Sequence, residues 1–350
     1  MSLLDGIKGW LSGKKLHINA RFETLGTPIK GRAGEVRKVR EKKTGEIYAL
    51  KVLDPDFLKD YEDRFSEVEC PSEIDVALHL SAKHPCLLKT YEQGITTTDQ
   101  PYLIMEWFPG KSMRKIFEGE YLRARGHRLE IIRMLAEALD ALHETGYLHR
   151  DVRPDNVLIS EDMTKLKLID YSHAVPAKRE YVEPGNRLGF SDYLPPDSLR
   201  KNADPGPRLD IFAFGVTVYQ WLTRNIPWPQ TDTSTVARAF REAIDLREYV
   251  PNIDDTLASA VASCLEAKPQ ERPASLHEFL QRIQYVEKVE HPRPIPPPEE
   301  AVPEEVEEEE VKPDLEEAML NAEMPHQDRI DAPEDALPEE EESEEISEEE

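Results

Sequence analysis

Cysteine is nearly absent: Cys70, Cys86 and Cys264 are the only three in 350 residues, far apart and without a paired metal-ligand spacing. That excludes a disulfide framework and a cysteine zinc site, and it predicts a reducing compartment. Long apolar runs are missing too. The longest, around Ile211–Leu222, is too short and too interrupted to cross a bilayer, and the first residues lack the apolar core of a signal peptide. The expectation is a soluble, cytoplasmic protein with no transmembrane segment. Nor is there a basic excess. Of the net charge of −26, residues 287–350 hold 27 Asp/Glu against 4 Lys/Arg, which leaves about −3 for the rest and argues against nucleic acid as a partner. No internal repeat occurs.

What is present falls into segments. Leu3, Leu4, Ile7, Trp10 and Leu11 share one helical face, so residues 1–19 read as an N-terminal amphipathic segment packed on its own domain. Peripheral contact with a membrane surface, helped by Lys8, Lys14 and Lys15, is the alternative. From Phe22 to Val52 the pattern is strand-like, with Thr44–Glu46 as a turn. Residues 71–82 read as helix and Pro101–Phe108 as extended chain. Beyond Gly110 the chain is mostly helical: Ile131, Ile132, Leu135, Leu139 and Leu142 recur at helical spacing, with Gly146 as the stop. A sheet-rich first third before a helix-rich remainder predicts an α+β fold of two lobes. Ten prolines and long glutamate runs make 287–350 a disordered acidic tail, expected to act as a solvated spacer; Leu315, Met319 and Leu320 offer a partner-binding helix as the alternative.

Three stretches carry chemistry. "YLHRDVRPDNVLIS" (Tyr147–Ser160) sets Asp151 five residues before Asn156, a loop long enough to turn a carboxylate to a substrate hydroxyl and an amide oxygen to a metal. "KLKLID" delivers Asp170 to the end of a strand, fourteen residues after Asn156. "IYALKVL" alternates, so Ile47, Ala49 and Lys51 share a strand face, a small residue beside a lysine that suits a nucleotide. The first stretch resembles the catalytic loop of the eukaryotic-type (Hanks-type) protein kinases, H-R-D-L-x-x-x-N, and the other motifs follow in that family's order over roughly residues 20–286.

The resemblance implies a bilobal protein-kinase-like fold. Residues 20–108 form a small lobe of antiparallel sheet plus one helix, and 109–286 a larger, mostly helical lobe. It also implies an ATP- and Mg²⁺-dependent serine/threonine kinase that moves the γ-phosphate of ATP to protein hydroxyls, its own included. In that scheme Asp151 takes the hydroxyl proton, Asn156 and Asp170 hold Mg²⁺, and Lys51 holds phosphates. Glu73 pairs with Lys51, Glu69 and Asp75 being alternatives. Arg153 stands where these kinases usually have Lys. "IKGRAGEV" supplies Ile29, Gly31, Gly34 and Val36 over the phosphates, with Ile29 replacing the first glycine. Ala49, Met105, Leu158 and the Glu106–Phe108 backbone enclose the adenine. Asp210 braces the catalytic loop, and Arg272 pairs with Asp197, which replaces the usual Glu. Tyr181, Ser191 and Tyr193 are candidate phosphorylation sites, with Arg150 as a phosphate dock. Three departures, Ile29, Ser172 for the glycine after Asp170-Tyr171, and Phe190 for a threonine, keep a nucleotide-binding pseudokinase scaffold as the alternative. Expected partners are protein substrates, and regulatory proteins at the acidic tail.

Overall fold

The alternating first third pairs as antiparallel strands: β1 (Phe22–Thr24), β2 (Ile29–Gly31), β3 (Gly34–Glu41), β4 (Ile47–Leu53), β5 (Thr90–Ile95) and β6 (Pro101–Glu106). Their order is β1-β3-β4-β6-β5, with β2 added on β3. Gly45, at φ 77°, sits in the predicted turn between β3 and β4. The period of two along β4 sorts its side chains. Leu50 and Val52 join Leu16, Phe22, Val39, Tyr102 and Ile104 on one face, while Ala49 and Leu53 enter the main core on the other. Lys51 shares the second face. Leu16 is tied in by its N–H to the Ile95 carbonyl (2.8 Å) and its carbonyl to the Thr97 N–H (2.9 Å).

The computed structural model describes residues 15–65, 68, 72–182, 191–199, 205–229 and 241–289. The sequence expectations for 2–11, for the tail from 290 onward, and for Glu69, Cys70 and Phe190 lie outside those residues. The chain separates after Pro294 into two units, and every described residue belongs to the first.

Two helices flank the sheet, α1 (Pro55–Arg64) and α2 (Glu73–Leu80). Ser72 caps α2, its hydroxyl accepting the Asp75 N–H at 3.1 Å. The sequence pattern did not anticipate α1, and its role is aromatic. Phe57 stacks on Tyr61 (centroids 6.2 Å), Tyr61 meets Phe65 (5.1 Å), and Phe65 meets Tyr181 (6.0 Å), more than a hundred residues away. Val175 completes this buried cluster. Phe65→Ala removes the ring that joins the two segments and is expected to cost about 1–3 kcal/mol in ring contacts. Limited proteolysis should then cut near Tyr181 several times faster, and unchanged cleavage would show that the rings merely touch.

The second lobe runs β7 (Gly110–Ser112), α3 (Met113–Gly119), α4 (Arg128–Glu144), β8 (Tyr147–Leu148), β9 (Val157–Ser160), β10 (Leu166–Leu168), β11 (Val175–Pro176), α5 (Arg208–Thr223), α6 (Asp255–Cys264) and α7 (Leu276–Arg282). Helix α4 carries the predicted apolar stripe, and Gly146 (φ 82°) follows its end. Helix α5 is buried on all sides from Asp210 to Thr223, as its apolar composition requires. One core cluster runs from Ala49, Leu103 and Met105 of the sheet into α4 and α5. No helix among the described residues is long and apolar enough to cross a membrane.

Candidate active site

The loop after β8 turns sharply: Arg150 has φ 64°, a conformation uncommon for a residue with a side chain. Asp210, in the first turn of α5, holds it there. Its carboxylate accepts the His149 N–H (2.7 Å) and the Arg150 N–H (2.8 Å), and lies 2.9 Å from His143 Nε2. Burial opposes the charge, but His143 and the His149 N–H outweigh it and hold the Asp210 carboxyl below the usual range.

Past the turn, Asn156 gives its amide hydrogens to Asp151, at 2.8 Å to the carbonyl and 2.6 Å to Oδ2. Its Oδ1 is then the oxygen free of that duty. Arg153 reaches the same carboxylate, Nε 3.4 Å from Asp151 Oδ2, and Nη1 lies 3.2 Å from Asp155. The Ile169 N–H donates to the Asn156 carbonyl (3.0 Å), which sets the end of β10 beside this loop. Asp170 follows at φ 65°, so both Asp170 and Arg150 hold a strained backbone that their surroundings enforce.

Asp170 meets the sheet here. Lys51 Nζ donates to Asp170 Oδ1 (2.9 Å) and to Glu73 Oε1 (2.5 Å). Burial pushes the Lys51 amine down, but Asp170 and Glu73 more than reverse this and keep it a cation. Asp170 is likewise pushed up by burial and pulled well below the carboxylate range by Lys51 and the Ser172 hydroxyl. The Glu73 carboxyl is raised, because burial outweighs a lysine it must share, and its Oε2 has no partner among the described residues. Glu73 is thus the lysine's partner; Asp75 is exposed and bonded to Ser72 (2.7 Å).

The sheet register places the remaining sequence-predicted residues. Val36 sits between Ile29 and Lys51 across the strands, and Ala49 opposite Met105. Gly31 faces Gly34 across the turn. A Cβ on Gly34 (φ 144°) would come 2.2 Å from the Val52 carbonyl oxygen, so only glycine fits. Ala49 and Met105 are buried, Val36, Phe108 and Leu158 half-buried, and Ile29 is 62% exposed. The Glu106 carboxylate is engaged by Lys167 (2.5 Å) and the Lys89 N–H (2.7 Å), so the side chain is held away from ligand duty.

Around this centre the scaffold is tightly bonded. Arg272 pairs with Asp197 at 2.5 Å, so the shorter acid still reaches it. Tyr171 donates to the Leu168 carbonyl (3.1 Å), accepts the Leu88 N–H (3.0 Å) and stands edge-on to His149. Tyr193 is buried; its hydroxyl donates to Gln220 (2.6 Å) and accepts from Arg114 (3.2 Å). Tyr181 is buried as well, with its carbonyl on Arg150 Nη1 (3.1 Å). Burial pushes the Cys86 and Cys264 thiols up to about 11 and about 12, so neither is a nucleophile. Sequence reasoning missed His143 and His173, which lie against Asp210 and Asp151. Neither has a local signal, since each partner is distant in the chain or across a turn.

A small antiparallel sheet over a helical lobe, with a lysine–glutamate pair aimed at an aspartate from the second lobe, is the arrangement of a protein kinase. The protein kinase domain model matches residues 21–285, and the chain belongs to that family. It is similar to sperm motility kinase 2B of Mus musculus, 28% identical over 73% of this chain and 50% of that protein. It is likewise similar to calcium-dependent protein kinase 20 of Oryza sativa subsp. japonica, 29% identical over 76% of this chain and 48% of the relative. Protein kinase C eta type of Rattus norvegicus is 28% identical over 81% of this chain and 43% of its own length. The chain thus spans about half the length of the curated relatives it matches.

Proposed function

We propose that this chain is an active, Mg²⁺- and ATP-dependent kinase that phosphorylates serine and threonine of proteins, itself included, in the cytoplasm. The observation that carries this is the bridge from Lys51 to both Glu73 and Asp170, with Asp170 tied through Ile169 to the loop of Asp151 and Asn156. On this reading Lys51, Asp170, Asp151 and Asn156 serve one phosphate-binding cleft. Asp151 orients the acceptor hydroxyl and takes its proton. Lys51 and the N–H groups between Gly31 and Gly34 bind phosphate oxygens. Ala49, Met105, Val36 and Leu158 cover the adenine, and Glu106–Phe108 supply backbone hydrogen bonds to it. The serine/threonine preference rests on "RPDN" (Arg153–Asn156), which resembles the serine/threonine form of the catalytic loop.

The donor set suits a hard cation. Asn156 spends its N–H₂ on Asp151, leaving Oδ1, and Asp170, which accepts from Lys51 and the Ser172 hydroxyl, is an anionic carboxylate with further lone pairs to give. All-oxygen donors in small number fit Mg²⁺, which keeps phosphate and water as its other ligands. When bound, the ion neutralises phosphate charge during transfer. Arg153, beside Asp151, supplies a cation near the acceptor, though its planar fork aims differently from a lysine.

The test is transfer from γ-labelled ATP with Mg²⁺ to dephosphorylated casein and to the protein itself, run beside nucleotide-dependent thermal shift. Labelling sensitive to Asp151 is the expected result. No label on either acceptor, with Asp151→Asn behaving identically, overturns it. A thermal shift without labelling assigns the chain to the pseudokinase class that the exposed Ile29 and the buried Ser172, each in place of a glycine, favour.

A further inference from the structure

His173 is unexplained by the site described above. It lies three residues past Asp170, is 8% exposed, and its Nδ1 is buried with no hydrogen-bond partner among the described residues. A buried polar nitrogen left without a partner is destabilising, so its position asks for a reason. The nearest carboxylate oxygen is Oδ2 of Asp151, at 4.0 Å. That gap exceeds a hydrogen bond by about 1 Å. Catalytic contacts are often long in a free enzyme and tighten once substrate is bound.

The electrostatics fit an approach between the two. Burial pushes the imidazole down, against the pull of Asp151 and Asp170, while Arg150 and His149 also disfavour its charge, so the surroundings favour the neutral ring. A neutral ring whose Nδ1 faces a carboxylate carries its proton on that nitrogen. Asp151 Oδ2 already accepts from Asn156 and faces Arg153, so a further donor would fix the rotation of the carboxylate about its own bond.

We propose that His173 is a positioning residue for Asp151, its Nδ1–H closing on Oδ2 as nucleotide and acceptor bind and aiming the other oxygen at the acceptor hydroxyl. The proposal rests on the kinase reading of Asp151. It assigns His173 no proton transfer: one hydrogen bond forms and no covalent bond changes.

Two variants test it. His173→Leu removes the donor, and His173→Asn returns an amide N–H near the place of Nδ1. In the casein assay His173→Leu should lower kcat about 10- to 100-fold, the effect of misplacing a reacting group by about an ångström. KM for ATP and the Mg·ADP thermal shift should not move, and His173→Asn should stay within about threefold of the parent. Equal rates for the two variants, parental activity in His173→Leu, or a loss of nucleotide affinity in step with kcat each overturn the proposal. A second measurement needs no turnover. With ¹⁵N-histidine, Mg²⁺ and a non-hydrolysable ATP analogue, His173 should show an Nδ1–H resonance that Asp151→Ala removes. A resonance unchanged by Asp151→Ala refutes the contact. If the parent protein labels nothing, the proposed function fails, and this resonance still decides the contact.

Discussion

Asp151→Asn should lower kcat about 10²- to 10⁴-fold, the range that a positioned general base contributes, while the Mg·ATP-dependent rise in Tm survives. The substitution keeps the shape of the side chain and one acceptor oxygen, so Asn156 and Arg153 retain a partner at the place of Oδ2. What disappears is the carboxylate able to take a proton. Lys51→Met makes the contrast. It leaves Glu73 and Asp170 facing each other across a cleft with no cation between them, so nucleotide affinity should fall together with turnover. Two assays on two variants thus separate binding from chemistry. An Asp151→Asn protein that transfers phosphate at the parental rate would remove Asp151 from the mechanism. One that lost its thermal shift as well would show that the substitution had disturbed the whole loop.

Much of this centre was legible because its chemistry is local in sequence. Asp151 and Asn156 lie on one loop, Asp170 follows one strand, and Lys51 alternates with apolar neighbours, so the motifs stand out in the sequence; the roles expected of them come from the resemblance to the protein kinases. Among Glu69, Glu73 and Asp75 the resemblance favours Glu73, which is the residue that meets Lys51, but the physical reason was not legible. It lies in the phase of α2, which Ser72 sets by capping the helix at Glu73 and engaging Asp75. Helix α1 went unread for a different reason. Phe57, Tyr61 and Phe65 do recur at four-residue spacing, but Tyr61 and Phe65 pack with Tyr181 and Val175 rather than the main core, and Phe57 stacks on Tyr61. The same holds for His143 and His173, whose partners become neighbours only when the loop after β8 folds over α5 and the segment after Asp170 folds back. Local propensity carries no record of such contacts.

Arg272→Met should destabilise the folded chain by about 3–5 kcal/mol, the usual loss when one partner of a buried ion pair is removed. The guanidinium is fully buried and its donors are spent on four oxygens: Asp197 Oδ1 (2.5 Å) and the carbonyls of Glu266 (2.7 Å), Arg208 (3.0 Å) and Ala267 (3.2 Å). It also lies over the Phe212 ring at 4.9 Å. One side chain therefore joins the segment bearing Asp197 to the start of α5 and to the turn after α6. Asp197 is nearly as buried, and its Oδ2 has no partner among the described residues, so without the arginine the carboxylate stands uncompensated. The loss should appear as a lower urea midpoint at unchanged m-value. Arg272→Met combined with Asp197→Leu removes the stranded charge and should recover part of it, since a buried pair replaced by apolar residues is often near neutral. Recovery will be incomplete because three carbonyls remain without their donor. The same single variant should lower activity as well, for the start of α5 also carries Asp210 and thereby the loop of Asp151. A variant as stable as the parent would mean that the buried pair contributes nothing beyond its own desolvation, and Asp197 would then lose its claim to a structural role.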